Sequence, residues 1–600
     1  MRGYLVLNWP PGQPGDLAGT LKDALLADGW RVAYEAFCLL ALVRGARPPP
    51  VQALPGQCGV AVGRLHDTEA SLAGQPAAFD LSLLSGLEAG DGATLLSRCA
   101  WGAYVALFTA RDRAPTVFRD PLGGLECVTW SVGPVTLVGD DPPVCGPAAP
   151  PGLAIDWERV GDLLADIALI SAQPCLTGIR QVGAGQLWSC ADGGRRAVWT
   201  PGDHAWRSGG VDVEEAQERL ARCVDGCVRT LAVGRRAIVA EVSGGFDSSL
   251  VALHLARAKA PIAALTNLHW PHAAGDERDY ARAVADRIGQ PLTSVARGDL
   301  RFDPADFELR GQALRPPFSA QDAEYDRDMA GRLSALQADA LFTGHGGDVV
   351  FYQMPEAALA RDLVGGGACL VGRARGLGVL AQRLRSNVGL VLIEAFGPRG
   401  RRPPGLAAPR YLTRRTARTA HPWLADLKGV GGAKRVQIRA LVNTLMMQGD
   451  SRRGDVAEVV NPLLSQPLVE LCLSLPASLL AIGDHDRPLA RAAFADMLPA
   501  ALRTRRGKGD VTAVFARSLA ASADLLRPWL LQGRLVEQGL VDPARLAPML
   551  EPDELIWRDH TGEIMRAVVV EAWVRTWAAR LAGEGQGAAV APAPLGAGAS

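Results

Sequence analysis

The spacing of hydrophobic and polar positions divides the chain into two parts. Over roughly the first 200 residues, short apolar runs such as CGVAVGRL, YVALFTA, PTVFRD and PVTLVGDD are separated by Gly- and Pro-containing turns. Runs of this length, bounded by turn residues, are typical of β-strands. We therefore predict a β-rich first domain over residues 1–208.

A second pattern begins near residue 209. The segment VEEAQERLARCVDGCVRTLA has the spacing of an amphipathic helix, and apolar strands then alternate with helical segments. Such alternation is typical of a doubly wound parallel sheet. Beyond about residue 360 the pattern is mostly helical, so we predict an α/β domain over 209–582 with a helical C-terminal lobe. The predicted strands are 237–242, 262–268 and 338–343, and the predicted helices are 248–258 and 277–288.

The last segment, GEGQGAAVAPAPLGAGAS at residues 583–600, is rich in Gly, Ala and Pro. It holds too few large apolar side chains to offset the entropy lost on folding. We predict that it is a disordered tail.

Composition limits the partners and the compartment. The 63 basic and 63 acidic residues give a net charge of zero, which does not favour nucleic acid as a partner. The 11 cysteines show no spacing typical of a disulfide framework. The first residues, MRGYLVLNWPPG, lack the layout of a signal peptide, and the longest apolar run, 32–43, is too short to cross a bilayer. We expect a cytoplasmic protein with no membrane segment.

The stretch EVSGGFDSSLVA, residues 241–252, carries the clearest chemical signal. It follows a predicted strand and leads into a predicted helix, whose N-terminus offers backbone N–H groups to an anion. Its glycines permit close approach of phosphate oxygens, and its serines add hydroxyl donors. Asp247 would repel bare phosphate but suits a magnesium ion that bridges phosphates. The alternative is a tight glycine turn in which Asp247 only caps the helix. The predicted phosphate ligands are Ser243, Gly244, Gly245, Ser248 and Ser249.

This stretch resembles the SGG-x-DSS pyrophosphate loop of the asparagine synthetase class of ATP pyrophosphatases. The segments WGAYVALF and VFRDPLGG are similar to the glutaminase domain of that family, a β-sandwich of the N-terminal-nucleophile (Ntn) type. LFTGHGGDVVF resembles its second acidic loop, and LPAALRTRRGKGD resembles the segment with its catalytic lysine. The resemblance implies ATP and Mg²⁺ as cofactors. It places adenine near Val242 and Leu265, nucleotide at Gly344, metal at Asp247 and Asp348, and the catalytic lysine at Lys508.

One departure from the family pattern separates its members. Glutamine-dependent members carry a nucleophilic cysteine directly after the initiator methionine, where this sequence has Arg2. The resemblance therefore implies a glutaminase-like domain without amidohydrolase activity, as in β-lactam synthetases and lasso-peptide cyclases. The segments GVAVGRLHD and GHGGD and the chain length are most similar to a lasso-peptide cyclase. That subtype implies the core peptide of a ribosomal precursor as substrate, and a leader peptidase and a leader-recognition protein as partners.

We expect no glutaminase activity from this chain, because Arg2 stands at the nucleophile position. Incubation with glutamine and ATP should release glutamate only at the background rate. Release of glutamate at an enzymatic rate would contradict this interpretation of the first domain.

Two further residues are candidates for proton transfer. His345 lies three residues before Asp348, and a histidine near neutral pKa can take a proton from an attacking ammonium. It can equally be a loop histidine that only shapes the pocket. Glu394, in VLIEAFG, is a candidate acidic partner for it, with an ordinary helix glutamate as the alternative.

Residues 371–420 contain eleven arginines and one acidic residue, Glu394. A solvated basic face is the simplest interpretation, and a surface that binds an acidic peptide or a partner protein is the functional one. For the whole chain, the sequence leaves two alternative functions: an ATP-dependent amide ligase or a non-catalytic nucleotide-binding scaffold. Asp247, Asp348 and Lys508 together favour the ligase, with β-lactam synthetase and ammonia-dependent asparagine synthetase as alternatives to the cyclase.

Overall fold

The computed structural model describes residues 3–11, 15–110, 113–270, 276–298, 301–396, 408–505, 512–558 and 560–583. It confirms a mixed α/β chain with antiparallel sheets first and a parallel sheet with helices after them. The first part contains two six-stranded antiparallel sheets, in the orders β12-β10-β11-β1-β3-β2 and β14-β13-β9-β8-β5-β4. Its strands are β1 (Gly3–Asn8), β2 (Arg31–Ala36), β3 (Leu39–Arg44), β4 (Val51–Ala53), β5 (Gly59–Gly63), β6 (His66–Asp67), β7 (Ala100–Trp101), β8 (Tyr104–Ala110), β9 (Arg113–Arg119), β10 (Val128–Val132), β11 (Val135–Gly139), β12 (Arg180–Gln181), β13 (Gln186–Ser189) and β14 (Arg195–Ala197).

The two antiparallel sheets pack face to face. Successive side chains of a strand point to opposite faces, so Tyr4 and Val6 of β1 enter a core that they share with Val60 and Val105 of the second sheet. The other face of the first sheet is also buried, against helices from the end of the chain. The inner strands β1, β3 and β11 of this sheet are therefore apolar on both faces. The helices of this part are α1 (Gly15–Ala27), α2 (Thr68–Leu72), α3 (Ala89–Cys99), α4 (Trp157–Ala165) and α5 (Pro201–His204).

The second part is built on five parallel strands in the order β17-β16-β15-β18-β19. The central strands β15 and β18 are short buried runs because helices cover both faces of the sheet. The three predicted strands and two predicted helices are all found, with every end within two residues of its predicted position. The strands are β15 (Ile238–Glu241), β16 (Ile262–His269), β17 (Leu292–Ala296), β18 (Ala340–Phe342) and β19 (Glu458–Val460).

Helices fill the remainder of the second part. The first, α6, begins where Asp212 accepts hydrogen bonds from the N–H groups of Glu214 and Glu215, and it covers the predicted amphipathic segment. The helices are α6 (Val213–Ala232), α7 (Phe246–Arg257), α8 (Arg278–Ile288), α9 (Pro304–Arg310), α10 (Ala323–Ala335), α11 (Gly347–Val350), α12 (Leu359–Val364), α13 (Arg373–Arg383), α14 (Val388–Phe396), α15 (Pro422–Ala425), α16 (Gly432–Leu445), α17 (Arg452–Val456), α18 (Gln466–Ser474), α19 (Ala477–Ala481), α20 (Pro488–Ala493), α21 (Ala500–Thr504), α22 (Thr512–Ala521), α23 (Ala523–Leu531), α24 (Arg534–Glu537), α25 (Pro543–Met549), α26 (Pro552–Trp557) and α27 (Thr561–Leu581).

The strand order creates a switch point. The chain adds β16 and β17 on one side of β15, and then β18 and β19 on the other side. The loops after β15 and β18 therefore leave the sheet side by side in opposite directions, which opens a crevice at their carboxyl ends. The predicted phosphate loop and the predicted second acidic loop are these two loops.

Two further expectations from the sequence concern the C-terminal tail and membrane-spanning helices. The predicted tail lies, from residue 584 onward, outside the described residues, and its disorder stays a prediction. Among the described residues, no helix combines the length and the apolar character needed to cross a bilayer.

Candidate active site

The conformation of the phosphate loop between β15 and α7 is fixed by hydrogen bonds between its own serines. The Ser243 N–H donates to the Ser248 hydroxyl at 3.1 Å, and the two serine hydroxyls are 2.9 Å apart. Gly244 has a φ of 91°, and a Cβ there would lie 2.4 Å from the Glu277 carbonyl oxygen, so only glycine fits. Helix α7 begins after Gly245, which has no side chain to cap the first-turn N–H groups. This end of α7 is therefore suited to an anion.

The second loop packs directly on the first through its glycines. A Cβ at Gly344 would lie 2.2 Å from the Ser248 backbone nitrogen, and one at Gly347 would lie 2.5 Å from the Asp247 carboxyl carbon. The GHGGD sequence thus permits backbone contact with the phosphate loop. The consequence is that Asp247 and Asp348 line the same cleft.

These two carboxylates suit a magnesium ion that is completed by phosphate oxygens and water. Mg²⁺ prefers oxygen ligands and commonly takes only one or two carboxylates from the protein, the remainder coming from substrate phosphates. Among the described residues, no group of three His, Cys, Asp or Glu side chains could hold a metal without such help. The donor set therefore fits Mg²⁺ bound together with a polyphosphate.

His345 is oriented by its surroundings. Its Nε2 lies 3.2 Å from the Thr444 carbonyl oxygen, and its backbone N–H donates to the Thr343 hydroxyl at 3.1 Å. A carbonyl only accepts, so Nε2 carries the proton in the neutral ring and Nδ1 has the free lone pair. Burial lowers the pKa of His345 below its ordinary value. A neutral imidazole at pH 7 lines the cleft, as a general base requires.

Replacement of His345 by glutamine tests its role as the base. We expect turnover to fall by about 10²-fold or more. Because burial lowers its pKa, the acidic limb of the wild-type kcat profile should lie below a pH of about 6.5 and should vanish in the variant. Measurement of kcat against pH for both proteins decides the question. A variant that keeps the limb and most of its activity would leave His345 as a pocket-shaping residue.

Glu394 does not join His345. It lies on the exposed face of α14 and does not line the cleft. The pKa of Glu356 is raised, mainly by burial and to a smaller extent by the negative charge of Glu394. The ordinary helix glutamate is therefore the interpretation that this geometry favours. A different acid, Glu241, lines the cleft at the end of β15 and accepts a hydrogen bond from the Tyr325 hydroxyl at 3.1 Å.

The residues predicted to contact adenine are packed in the core. Val242 and Leu265 are fully buried, and neither lines the cleft. The backbone N–H of Val242 donates to Thr266, and its carbonyl accepts from Asn267 at 2.7 Å. These side chains shape the floor beneath the loop and do not form its surface. Ser249 is also fully buried, and its hydroxyl donates to the Gly245 carbonyl at 2.7 Å.

Lys508 lies outside the described residues. Arg505, the last described residue before that segment, contacts the phosphate loop by donating to the Gly244 carbonyl at 2.8 Å and pairing with Glu277. Its guanidinium also lies 4.3 Å from the Tyr280 ring centroid. The chain therefore approaches the Lys508 segment from the phosphate loop.

Buried arginines near the loop were missed by the sequence analysis. Arg487, Arg491 and Arg505 line the cleft, and Arg487 pairs with Asp247 at 2.5 Å. The segment DHDRPLARAAF carries two of them at a spacing of four, Arg487 directly before the short helix α20 and Arg491 within it. This spacing could have indicated that the two arginines act together. It does not reveal which loop they face.

The arginine-rich stretch contacts the first part of the chain. Arg414 pairs with the buried Asp162 at 2.6 Å, and Arg418 pairs with Glu158. Arg415 donates to the Ala408 carbonyl. None of the described arginines of this stretch lines the cleft. Arg414 and Arg418 thus hold the helical lobe against α4. This role differs from the peptide-binding surface considered above.

The cleft is large and lies between the two parts of the chain. Its volume is about 1710 Å³, and it extends from the phosphate loop to the first part, where Arg47, Arg64, His66 and Trp101 line it. Pockets for small ligands have volumes of about 300–1,000 Å³. The cleft is therefore larger than a pocket for one small ligand.

Comparison with known proteins identifies the family of the chain. A model of the asparagine synthase family matches residues 219–575, more than half of the chain, and the chain belongs to that family. It is accordingly an ATP-dependent carbon–nitrogen ligase of the asparagine synthetase type. No curated relative matches.

Two solved structures of nucleotide-metabolism enzymes are among the matches. The allosteric regulatory enzyme of purine biosynthesis is 11% identical, covering 50% of this chain and 82% of its own. Glutamine phosphoribosylpyrophosphate amidotransferase from B. subtilis, complexed with ADP and GMP, is 12% identical, covering 70% and 99%. Both TM-scores are 0.18, too low to support an argument about fold or function.

Proposed function

We propose that this ligase closes a peptide into a macrolactam. The side-chain carboxylate of an Asp or Glu in a leaderless core peptide attacks the α-phosphorus of ATP, and pyrophosphate leaves. The N-terminal amine of the same peptide then attacks the acyl-adenylate and AMP departs, which leaves an isopeptide bond. With the peptide tail held through the ring, the product is a lasso peptide.

The observation that carries this proposal is the size and position of the cleft. A peptide that must be folded before its ring closes needs far more space than aspartate or a β-amino acid. The volume of about 1710 Å³, lined by both parts of the chain, supports a substrate of peptide size. It also favours the cyclase over the β-lactam synthetase and the ammonia-dependent asparagine synthetase.

The residues of the cleft divide the chemistry among them. The phosphate loop and the first turn of α7 receive the phosphates, and bound Mg²⁺ would neutralise charge on the leaving pyrophosphate. His345, with Nδ1 unprotonated, accepts the proton of the attacking ammonium. Lys508 would stabilise the charge on the α-phosphate and on the tetrahedral oxyanion. A non-catalytic scaffold would require neither two loop carboxylates in one cleft nor an oriented neutral histidine.

The proposal is tested by incubating the protein with a leaderless core peptide, ATP and Mg²⁺. Mass spectrometry should show loss of one water, and the product should resist carboxypeptidase. AMP and pyrophosphate should be the nucleotide products. Closure of a β-amino acid or amidation of free aspartate by ammonia would exclude the cyclase while keeping the ligase class. Addition of the leader peptidase and the leader-recognition protein shows whether these proposed partners are needed.

A further inference from the structure

Arg487 holds the carboxylate that is predicted to bind metal. It is 3% exposed and precedes α20 in the left-handed region, with a φ of 51°. Its Nη1 donates to Asp247 Oδ2 at 2.5 Å, and its guanidinium lies 5.1 Å from the Phe246 ring centroid. A buried guanidinium thus faces the centre of the phosphate loop, in a protein whose loop has no lysine.

The opposite edge of the same guanidinium is fixed. Nε and Nη2 of Arg487 both donate to Asp486 Oδ2, at 3.0 and 2.7 Å. The other oxygen of Asp486 accepts from Arg491, whose Nη1 in turn donates to the Leu502 carbonyl. One edge of Arg487 is therefore anchored through Asp486, and the nitrogen that faces the loop can exchange its partner without losing the anchor.

The Arg487–Asp247 pair offers a binding group to each of two ligands, phosphate at Arg487 and metal at Asp247. An ATP polyphosphate brings several negative charges to the loop, and a guanidinium binds phosphate oxygens strongly. Arg487 holds Oδ2 of Asp247, so a magnesium ion that binds through this oxygen must displace the guanidinium. If phosphate alone binds Nη1 of Arg487, Oδ2 of Asp247 loses its hydrogen bond. If metal alone binds Oδ2 of Asp247, Nη1 of Arg487 loses the same bond. When phosphate and metal bind together, each group has a new partner.

We propose that Arg487 is a phosphate-binding residue that makes metal binding at Asp247 depend on the nucleotide. Nη1 of Arg487 pairs with Asp247 when the loop holds no phosphate and with a phosphate oxygen when nucleotide is bound. Asp247 is then released to the metal, so polyphosphate and Mg²⁺ bind with positive coupling. This inference rests on the proposed function in so far as ATP and Mg²⁺ meet at this loop, but it does not depend on the identity of the acyl acceptor.

The test uses the full chain without peptide and compares wild type with Arg487→Gln. Binding of Mn²⁺ alone is measured by electron paramagnetic resonance, and binding of inorganic pyrophosphate alone by calorimetry. We expect the variant to bind Mn²⁺ about tenfold more tightly and metal-free pyrophosphate about tenfold more weakly, because one charge-assisted hydrogen bond is removed on each side. The coupling between the two ligands should fall by a similar factor.

Arg566→Gln is the matched control, because it also removes a buried arginine, but one that donates to the Leu164 carbonyl and does not line the cleft. It does not contact Asp247, so its affinity for Mn²⁺ should equal that of wild type. Arg487→Lys, which keeps the charge but loses the two-sided grip, should fall between wild type and Arg487→Gln, and it serves if Arg487→Gln does not fold. Unchanged or weaker Mn²⁺ binding in both Arg487 variants, or unchanged pyrophosphate binding, overturns the inference. Failure of peptide cyclisation alone would leave these binding results intact.

Discussion

Substitution of Asp348 by asparagine should lower the rate of AMP formation by about 10³-fold or more. Asp348 comes from the loop whose glycines pack on the phosphate loop, and it lines the cleft beside Asp247. A metal at a developing phosphoryl charge supplies several kcal/mol, and about 4 kcal/mol corresponds to about 10³ in rate. Asparagine keeps the shape and the acceptor for the Val349 N–H. Release of AMP and pyrophosphate is measured against Mg²⁺ concentration, with circular dichroism to confirm the fold.

The control for this experiment is Asp279→Asn. Asp279 is a carboxylate of helix α8 whose side chain is 94% exposed and pairs with Arg282 at the surface. It should retain wild-type AMP formation. Full activity in Asp348→Asn, or ADP as the main nucleotide product of the wild type, would contradict the assignment of the acidic loops.

Replacement of Lys508 by alanine should abolish macrolactam formation while the protein still binds peptide and ATP. A mobile cation at the α-phosphate acts most strongly as charge develops, so its loss affects the chemical step more than binding. We expect a fall of about 10³-fold in the single-turnover rate, with peptide affinity changed by less than about threefold. Quenched-flow assays of AMP and cyclic product, with separate titrations of peptide, measure both quantities.

Arg503→Ala provides the comparison, because Arg503 belongs to the same basic segment and is exposed at the end of α21. Its loss should leave the rate near the wild-type value. Equal losses in both variants would show that general positive charge matters and not one positioned lysine. A fall in peptide affinity that accounts for the whole loss in Lys508→Ala would place this residue in substrate capture.

Three strands of the parallel sheet, β15, β16 and β18, could be predicted from local pattern because each contains a run of apolar residues. The predicted strand at 237–242 is observed at Ile238–Glu241, and the predicted strand at 262–268 is observed at Ile262–His269. The helix after the phosphate loop begins at Phe246, two residues earlier than predicted, because Gly245 is the N-cap. A glycine gives no side-chain signal for this role, so the start could not be located from sequence.

The site was predicted only where one segment carries it. The loop at Ser243–Ser249 combines strand, glycines and helix in consecutive residues, so its chemistry is visible locally. Arg487 lies 240 residues from Asp247, and no local pattern reports that contact. Glu394 shows the reverse problem, because its distance along the chain suggested a partner of His345, whereas α14 presents it to solvent. Long-range partners depend on packing, which the spacing of residues does not encode.

The hydrophobic face behind the first sheet has a consequence for the integrity of the whole chain. Leu5 and Leu7 of β1 share one core with Trp573 and Trp577 of α27, so the first and last elements of the chain bury each other. A cut near residue 208 would strip the cover from both partners and expose two large aromatic side chains to water. The first sheet and the C-terminal helices therefore stabilise each other, and α27 owes part of its thermodynamic stability to strands from the other end of the chain.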